Sequence, residues 1–176
     1  MNGLYQVQNA LTFAVMKHDG QRRKYTNEPY VTHLIAVASR VDAADGDLDM
    51  VKAALCHDVL EDTEASYDEV EAAIGPIAAN YVLLLTDSGR EKGNRAARKA
   101  MDRARLAAAP PPVQTIKLAD LLDNTHSIVE RDPDFAKVYI AEKRALLEVL
   151  SYGDKRMLKE ALHVVALAES QLGITA

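Results

Sequence analysis

The chain has 176 residues, enough for one domain that buries roughly two-thirds of the surface its unfolded chain exposes. Hydrophobic residues make up 48% and charged residues 27%, which excludes a disordered chain, and no apolar run approaches the roughly 18 residues of a membrane span. The formal net charge of −5, without a basic tail, argues against sequence-independent binding to nucleic acid.

In the first part of the chain, apolar residues recur at spacings of three and four, the period of amphipathic helices. Leu4, Val7 and Leu11 mark one face of a first helix. Pro29 suits the first turn of a second helix. The acidic stretch DGDLD opens a third helix, since carboxylates are favourable at the positive end of the helix dipole.

Two further helices are predicted before a polar loop. Ser66 and Glu69 have the spacing of a capping box, and Gly75 with Pro76 ends the short helix that they start. The apolar stretch IAANYVLLL predicts the next helix, which leads into the loop TDSGREKGN.

The rest of the chain also has a helical pattern. The Ala- and Arg-rich stretch RAARKAMDRARLAAA is stopped by three prolines, and a helix containing VQTIKLADLLDNTHSIV follows. Asp132 and Pro133 start another helix, and KRMLKEALHVVALAESQL forms the last one. With no strand pattern, internal repeat or long linker, the sequence predicts an all-α protein of about seven to nine helices in one domain over residues 1–176.

The cysteine content and the N-terminal sequence indicate the cellular compartment of the protein. Cys56 is the only cysteine, so no internal disulfide forms. The first ten residues, MNGLYQVQNA, lack the basic region followed by an apolar run that marks a secretory signal. We therefore expect a cytoplasmic protein without a membrane anchor.

The stretch HDVLEDTE carries five groups that are charged or can become charged, directly after an apolar helix. Positions four apart share a helix face, so His57 pairs with Glu61, and Asp58 pairs with Asp62. Carboxylates this close repel one another unless a cation or shared protons offset their charge. Imidazole and carboxylate ligands suit manganese, iron or zinc. The stretch therefore indicates either a divalent metal site or a solvated helix end.

Two more polar residues in apolar surroundings are candidates for the same site. Asp120 lies in IKLADLLDN, with Asn124 one turn later and Lys117 three residues earlier on the same face. A buried carboxylate is costly without a partner, so Asp120 either binds the metal or pairs with Lys117. His33 in PYVTHLIAVA is either a further ligand or a packed core histidine.

Three stretches, in this order, carry a resemblance to a known family. HDGQRRKYTNEPYVTHLIAVA is similar to the pattern H-x-G-Q-x-R…G-E-P-Y-I-x-H-P, AALCHDVLEDT to A-A-L-L-H-D-V-x-E-D-T, and IKLADLLDNTHSI to V-K-L-A-D-R-L-H-N. Together they span residues 18–128. The chain resembles the HD superfamily of metal-dependent phosphohydrolases, above all the small single-domain alarmone hydrolases of the Rel/SpoT type. Those all-α enzymes hydrolyse guanosine tetra- and pentaphosphate, usually with manganese.

The resemblance implies an HD-type helical bundle that holds one divalent ion, Mn²⁺. The implied metal ligands are His33, His57, Asp58 and Asp120. Glu61 and Asp62 match the carboxylate pair that positions and deprotonates the attacking water. The reaction so implied releases pyrophosphate from the 3′-diphosphate of the nucleotide.

The resemblance also implies contacts with a small-molecule nucleotide. Arg23 and Lys24 match the basic pair that meets the nucleotide. Asn124 matches the family Asn, and Ser127 stands where the family has a hydroxyl residue near the ribose and base. Arg98, in GNRAARK, is a further candidate for phosphate binding. Each basic residue has the alternative of a solvated surface position.

The chain departs from the family pattern at several positions. Asn27 replaces the usual Gly, and Asn tolerates the left-handed backbone conformation better than most residues. Leu34 replaces a Pro. Leu121 and Asp123 replace a basic residue and a His beside Asp120, where a change alters substrate choice and leaves the metal site intact.

Two other functions compete with alarmone hydrolysis. One is hydrolysis of another nucleotide phosphate, a nucleoside monophosphate or the 2′-phosphate of NADPH. The other is a catalytically silent nucleotide-sensing or antitoxin-like module, against which the presence of all four ligand positions argues. The sequence leaves the formation of a homo-oligomer open.

Overall fold

The computed structural model describes residues 2–87, 89 and 93–174, without the side chain of residue 126. Within this part of the chain there are nine helices of eight residues or more, one single-turn helix and no strand. One isolated antiparallel bridge joins Arg22 and Pro29. The prediction of an all-α protein with seven to nine helices is confirmed. The predicted loop TDSGREKGN includes residues 88 and 90–92, which lie outside the described residues.

The chain divides after Asp87 into two units, each with its own internal contacts. The prediction of one domain over residues 1–176 stays a prediction. None of the helices described combines the length and the apolar character that a bilayer span requires.

The first unit is built around a short central helix. Its six helices are α1 (Gly3–Lys17), α2 (Val31–Ala43), α3 (Leu48–Cys56), α4 (Val59–Asp62), α5 (Tyr67–Ile74) and α6 (Pro76–Leu85). Helix α3 packs against α1, α2, α5 and α6. Ala53, Ala54 and Cys56 are fully buried on α3. Because these side chains are small, several neighbouring helices can approach the same short helix.

The ends of α5 follow the signals in the sequence. The Ser66 hydroxyl accepts a hydrogen bond from the Glu69 N–H at 3.3 Å, and the Glu69 carboxylate accepts one from the Ser66 N–H at 2.9 Å. This reciprocal pair is the predicted capping box. Gly75 ends the helix at a φ of +86°, which glycine adopts without strain, and Pro76 begins α6.

A buried lysine joins α3 to its neighbours. The Lys52 ammonium donates to the Ile74 carbonyl at 2.7 Å and to the Gln6 side-chain oxygen at 3.3 Å, and it lies 2.8 Å from the Asp49 carboxylate. A cation at the C-terminus of α5 offsets the negative end of that helix. Lys52 therefore ties α1, α3 and α5 together.

The acidic cluster does not lie on one continuous helix. Helix α3 ends at Cys56, His57 and Asp58 form a turn, and α4 begins after them. The Asp58 backbone, at φ −99° and ψ −2°, stays in the right-handed region but lies away from the usual α-helical values. The N–H groups of Glu61 and Asp62 both bond to the Asp58 carbonyl, at 3.1 and 2.8 Å. The predicted shared helix face is thus replaced by a turn followed by a single helical turn.

The second unit contains four longer helices. They are α7 (Arg95–Ala107), α8 (Pro111–Arg131), α9 (Pro133–Leu147) and α10 (Lys155–Gln171). Helices α8, α9 and α10 pack against one another, and α7 packs against α9. The fully buried Gln114 donates to the carbonyls of Leu106 at 2.9 Å and Ala109 at 3.3 Å, and accepts from the Tyr152 N–H at 2.9 Å. One side chain thereby bonds to backbone groups at the end of α7, before α8 and in the turn before α10.

Candidate metal and substrate site

Three of the predicted metal ligands lie together in the first unit. His33 is on α2, His57 follows α3 directly, and Asp58 is the next residue. One ligand atom of each lies within 4.8 Å of the others. The Nε2 atoms of His57 and His33 are 3.1 and 3.5 Å from Asp58 Oδ2. The histidines are only 2% and 1% exposed, so the donors face a site that is largely screened from water.

A backbone hydrogen bond determines which nitrogen of His57 faces this site. Its Nδ1 lies 2.8 Å from the Ala54 carbonyl oxygen, and because a carbonyl only accepts, Nδ1 carries the proton. In the neutral ring, Nε2 then directs a lone pair towards the Asp58 carboxylate. Two electron-pair donors this close repel each other unless a cation or a proton lies between them. Donors about 2.1 Å from a shared ion are about 3–3.5 Å apart, so the cluster fits a divalent metal.

The predicted catalytic carboxylates are on α4, next to the three donors. Glu61 Oε2 accepts a hydrogen bond from the Asp87 N–H at 3.1 Å, and Asp62 Oδ2 accepts one from Gln21 Nε2 at 3.4 Å. Partial desolvation raises the pKa of Asp62, and the neighbouring charge of Asp58 raises it further, against the opposing effect of the hydrogen bonds. Asp62 thus holds a proton more readily than a free carboxylate does.

The predicted basic pair lies in the turn between α1 and α2. The Arg23 N–H donates to the Glu28 carbonyl at 2.9 Å, and Asn27 adopts a φ of +58°. The left-handed conformation expected of Asn at this position is therefore confirmed. Lys24 is exposed, and its ammonium lies 3.0 Å from the Tyr25 hydroxyl and 4.7 Å from the centre of that ring. The turn leaves this cation at the surface of the first unit.

The fourth predicted ligand belongs to the second unit. Asp120 is 5% exposed, its Oδ2 lies 2.8 Å from the Lys117 ammonium, and its Oδ1 accepts from the Asn124 amide at 2.6 Å. The pairing with Lys117 that the sequence offered as the alternative is therefore present. Burial raises the pKa of the Tyr139 hydroxyl above its ordinary value, and the charge of Asp120 raises it further. The role of Asp120 as a metal ligand stays a prediction.

The other predicted contacts with a nucleotide are also in the second unit. The Ser127 hydroxyl donates to the Asn124 carbonyl at 3.2 Å, and the Arg98 guanidinium, on α7, donates to the Gly93 carbonyl at 3.3 Å. Leu121 is fully buried, so a core side chain stands where the family has a basic residue. Substrate contacts by Ser127, Asn124 and Arg98 stay predictions.

A family model described as "HD domain" matches residues 10–147. The match covers more than half of the chain and includes the histidine pair and both aspartates of the predicted ligand set. The chain belongs to the HD domain family. The resemblance inferred from the three sequence stretches is thereby confirmed.

Known relatives of this HD domain protein include short and long chains. The guanosine-3′,5′-bis(diphosphate) 3′-pyrophosphohydrolase of Aquifex aeolicus is 32% identical over 170 residues, which are 96% of this chain but 22% of the relative. The enzyme of the same name, MESH1, from Drosophila melanogaster is 38% identical over 126 residues, covering 70% of this chain and 69% of the relative. A solved structure described as a metazoan ortholog of SpoT that hydrolyzes ppGpp has a TM-score of 0.82 at 28% identity, over 97% of both chains.

Sequence reasoning on the HD domain protein missed residues that contact the predicted ones. The Tyr30 hydroxyl donates to Asp58 Oδ2 at 2.6 Å, and the ring of Tyr30 stacks on His18 with centroids 4.8 Å apart. Both residues lie in the first matching stretch, which was the available signal. Spacing along the chain does not reveal a contact between residues that are 28 positions apart.

Proposed function

We propose that this HD domain protein is a manganese-dependent phosphohydrolase. It removes the 3′-diphosphate of the guanosine alarmones ppGpp and pppGpp as pyrophosphate and leaves GDP or GTP. The observation that supports the metal is the cluster of His33, His57 and Asp58, whose ligand atoms lie within 4.8 Å of one another. The substrate is inferred from relatives named for this activity, one of which is 38% identical and of similar size.

We propose His33, His57 and Asp58 as three metal ligands and Asp120 as the fourth. When bound there, a divalent ion supplies positive charge for phosphate oxygens and makes a water molecule more acidic. Manganese fits a set of two imidazoles and two carboxylates.

The carboxylates beside the ligands handle water and protons in this proposal. Glu61 and Asp62 lie on α4, one turn after the ligand Asp58, where either can hold a water molecule and accept its proton. The proposed contacts with the nucleotide are those of Arg23, Lys24, Asn124, Ser127 and Arg98.

We also propose that the protein works in the cytoplasm and does not bind nucleic acid. Its single, buried cysteine and its formal net charge of −5 support both statements. Binding of a labelled duplex at low salt, where electrostatic attraction is strongest, would contradict the second.

Product analysis tests the proposed reaction directly. The purified chain is incubated with manganese and, in separate reactions, ppGpp, pppGpp, GMP and NADPH, and products are identified by phosphorus NMR. We expect pyrophosphate with GDP or GTP from the two alarmones, and no product after a chelator removes the metal. Orthophosphate from GMP or NADPH alone would identify the other hydrolase. Tight binding of ppGpp without turnover would identify a sensing module.

A further inference from the structure

The turn after α1 contacts two of the functional carboxylates of the first unit, Asp58 and Asp62. From one end of this turn, Gln21 Nε2 donates to Asp62 Oδ2 at 3.4 Å. From the other end, the Tyr30 hydroxyl donates to Asp58 Oδ2 at 2.6 Å. In the proposed function Asp58 binds the metal, and Asp62 belongs to the carboxylate pair that handles water and protons. The same segment therefore contacts two groups with different roles.

His18 holds both ends of this turn. Its Nδ1 lies 2.6 Å from the Gln21 side-chain oxygen, and since an amide oxygen only accepts, the imidazole donates. This bond fixes the orientation of the Gln21 amide and leaves its NH₂ group for Asp62. The ring of His18 also stacks on Tyr30, with 22° between the ring planes. His18 is 5% exposed, so packing restricts its own rotation.

We propose that His18, Gln21 and Tyr30 are positioning residues that act through the two carboxylates, an inference that rests on the proposed function. Tyr30 orients Asp58 and thereby raises the affinity for the metal. Gln21, itself held by His18, orients Asp62 and thereby raises the rate of turnover. Outer hydrogen-bond partners of metal ligands commonly contribute 10–100-fold to affinity or activity, because they fix the ligand before the ion binds.

Substitutions that preserve the shape of a side chain distinguish a positioning role, which depends on its hydrogen bond, from a role in packing. Tyr30→Phe keeps the ring that stacks on His18 and removes only the hydroxyl, which bonds to Asp58 and also lowers the pKa of Asp62 by hydrogen bonding. Gln21→Leu keeps a side chain of similar size and removes the amide that bonds to Asp62. Tyr5→Phe is the matched control, because it removes a hydroxyl from a residue that is 61% exposed on α1 of the same unit.

The test measures manganese affinity without substrate and, separately, kcat for ppGpp at saturating manganese. Calorimetry gives the affinity, and release of pyrophosphate gives the rate. For Tyr30→Phe we expect manganese binding to weaken by about 10-fold or more. For Gln21→Leu we expect unchanged manganese binding and a kcat lowered by about 10-fold. Tyr5→Phe should match the wild type in both measurements.

Two results would overturn this inference while leaving the proposed function in place. In one, the wild type turns over ppGpp normally, and Tyr30→Phe binds manganese as tightly as the wild type does. In the other, Tyr30→Phe and Gln21→Leu lose manganese affinity and kcat only in proportion to their loss of thermal stability. A wild-type chain that binds no manganese would overturn the proposed function, and the inference with it.

Discussion

The hydrogen bond between His57 Nδ1 and the Ala54 carbonyl sets the chemistry of the candidate metal centre. The acceptor of this bond is a backbone carbonyl of α3, so the bond does not depend on the presence of a metal. In the neutral ring, this bond therefore selects the tautomer that presents a lone pair at Nε2, next to the carboxylate of Asp58. A ligand prepared in this way loses little conformational freedom when the ion binds.

A pair of substitutions separates metal binding from proton transfer. His57→Ala should abolish manganese uptake and turnover together, because it removes a proposed ligand. Glu61→Gln should retain the metal and lower kcat by about 10²–10⁴-fold, since an amide cannot accept the proton. The Gln oxygen can still accept the hydrogen bond from the Asp87 N–H, so the fold is preserved. Calorimetry and steady-state rates measure both effects, and a wild-type rate in Glu61→Gln would remove this residue from the mechanism.

The Cys56 thiol should be unreactive in the folded protein. Burial raises its pKa to about 12, and its sulfur lies 3.6 Å from the Ala10 carbonyl oxygen. At about pH 8 the thiolate, which is the reactive form, is therefore scarce and shielded. A disulfide reagent should label one thiol per chain in guanidinium chloride and none in native buffer. Rapid labelling of the native protein would contradict the buried position of Cys56.

At the scale of the helices, the end of α7 and the start of α8 depend on Gln114. Its side chain bonds to three backbone groups, and no water can replace these bonds because Gln114 is fully buried. Each buried polar group left without a partner costs about 1–3 kcal/mol.

Gln114→Leu should therefore lower the free energy of unfolding by about 2–4 kcal/mol, because the Ala109 carbonyl and the Tyr152 N–H lose this partner, while the Leu106 carbonyl keeps the Ala109 N–H. Denaturation by urea measures the change. Gln171→Leu is the matched control, since this exposed residue at the end of α10 should alter stability by less than about 0.5 kcal/mol. Equal stabilities for the two variants would contradict the role of Gln114.

The starts and ends of helices were largely predictable from local chemistry. The capping box at Ser66 and Glu69 and the Gly75–Pro76 boundary act within a few residues, so the sequence contains the whole interaction. The break after Cys56 was not predictable in this way. It lies next to Asp58, whose carboxylate accepts a hydrogen bond from Tyr30 in a distant part of the chain. Helix periodicity contains no information about such a contact.

At the scale of the whole molecule, metal binding should stabilise the fold. An ion that binds only the native state adds about 2.7 kcal/mol at 100 times its Kd. For a chain of this size that corresponds to a rise in Tm of about 5–10 °C. We expect manganese to produce this rise in the wild type and in Glu61→Gln, and not in His57→Ala.

This rise in Tm is measured by thermal unfolding at increasing manganese concentration. Calcium is the matched control, because it prefers oxygen ligands and should shift the Tm less at a site with two imidazoles. An equal shift in His57→Ala would place the stabilising ion elsewhere on the molecule.

The order of the three sequence stretches predicted the family and most of the candidate site. His33, His57 and Asp58 meet in the first unit as expected, and the pairing of Asp120 with Lys117 was foreseen as one of two alternatives. The roles of His18 and Tyr30 could not be predicted, because they follow from ring stacking and from a hydrogen bond across 28 positions.

Anomalous diffraction from crystals grown with manganese tests the central claim most directly. We predict one strong manganese peak about 2.0–2.5 Å from Nε2 of His33, Nε2 of His57 and a carboxylate oxygen of Asp58. Asp120 should supply the fourth protein ligand. A peak at any other group of side chains, or no peak under conditions that support turnover, would contradict the claim that these residues form the metal centre.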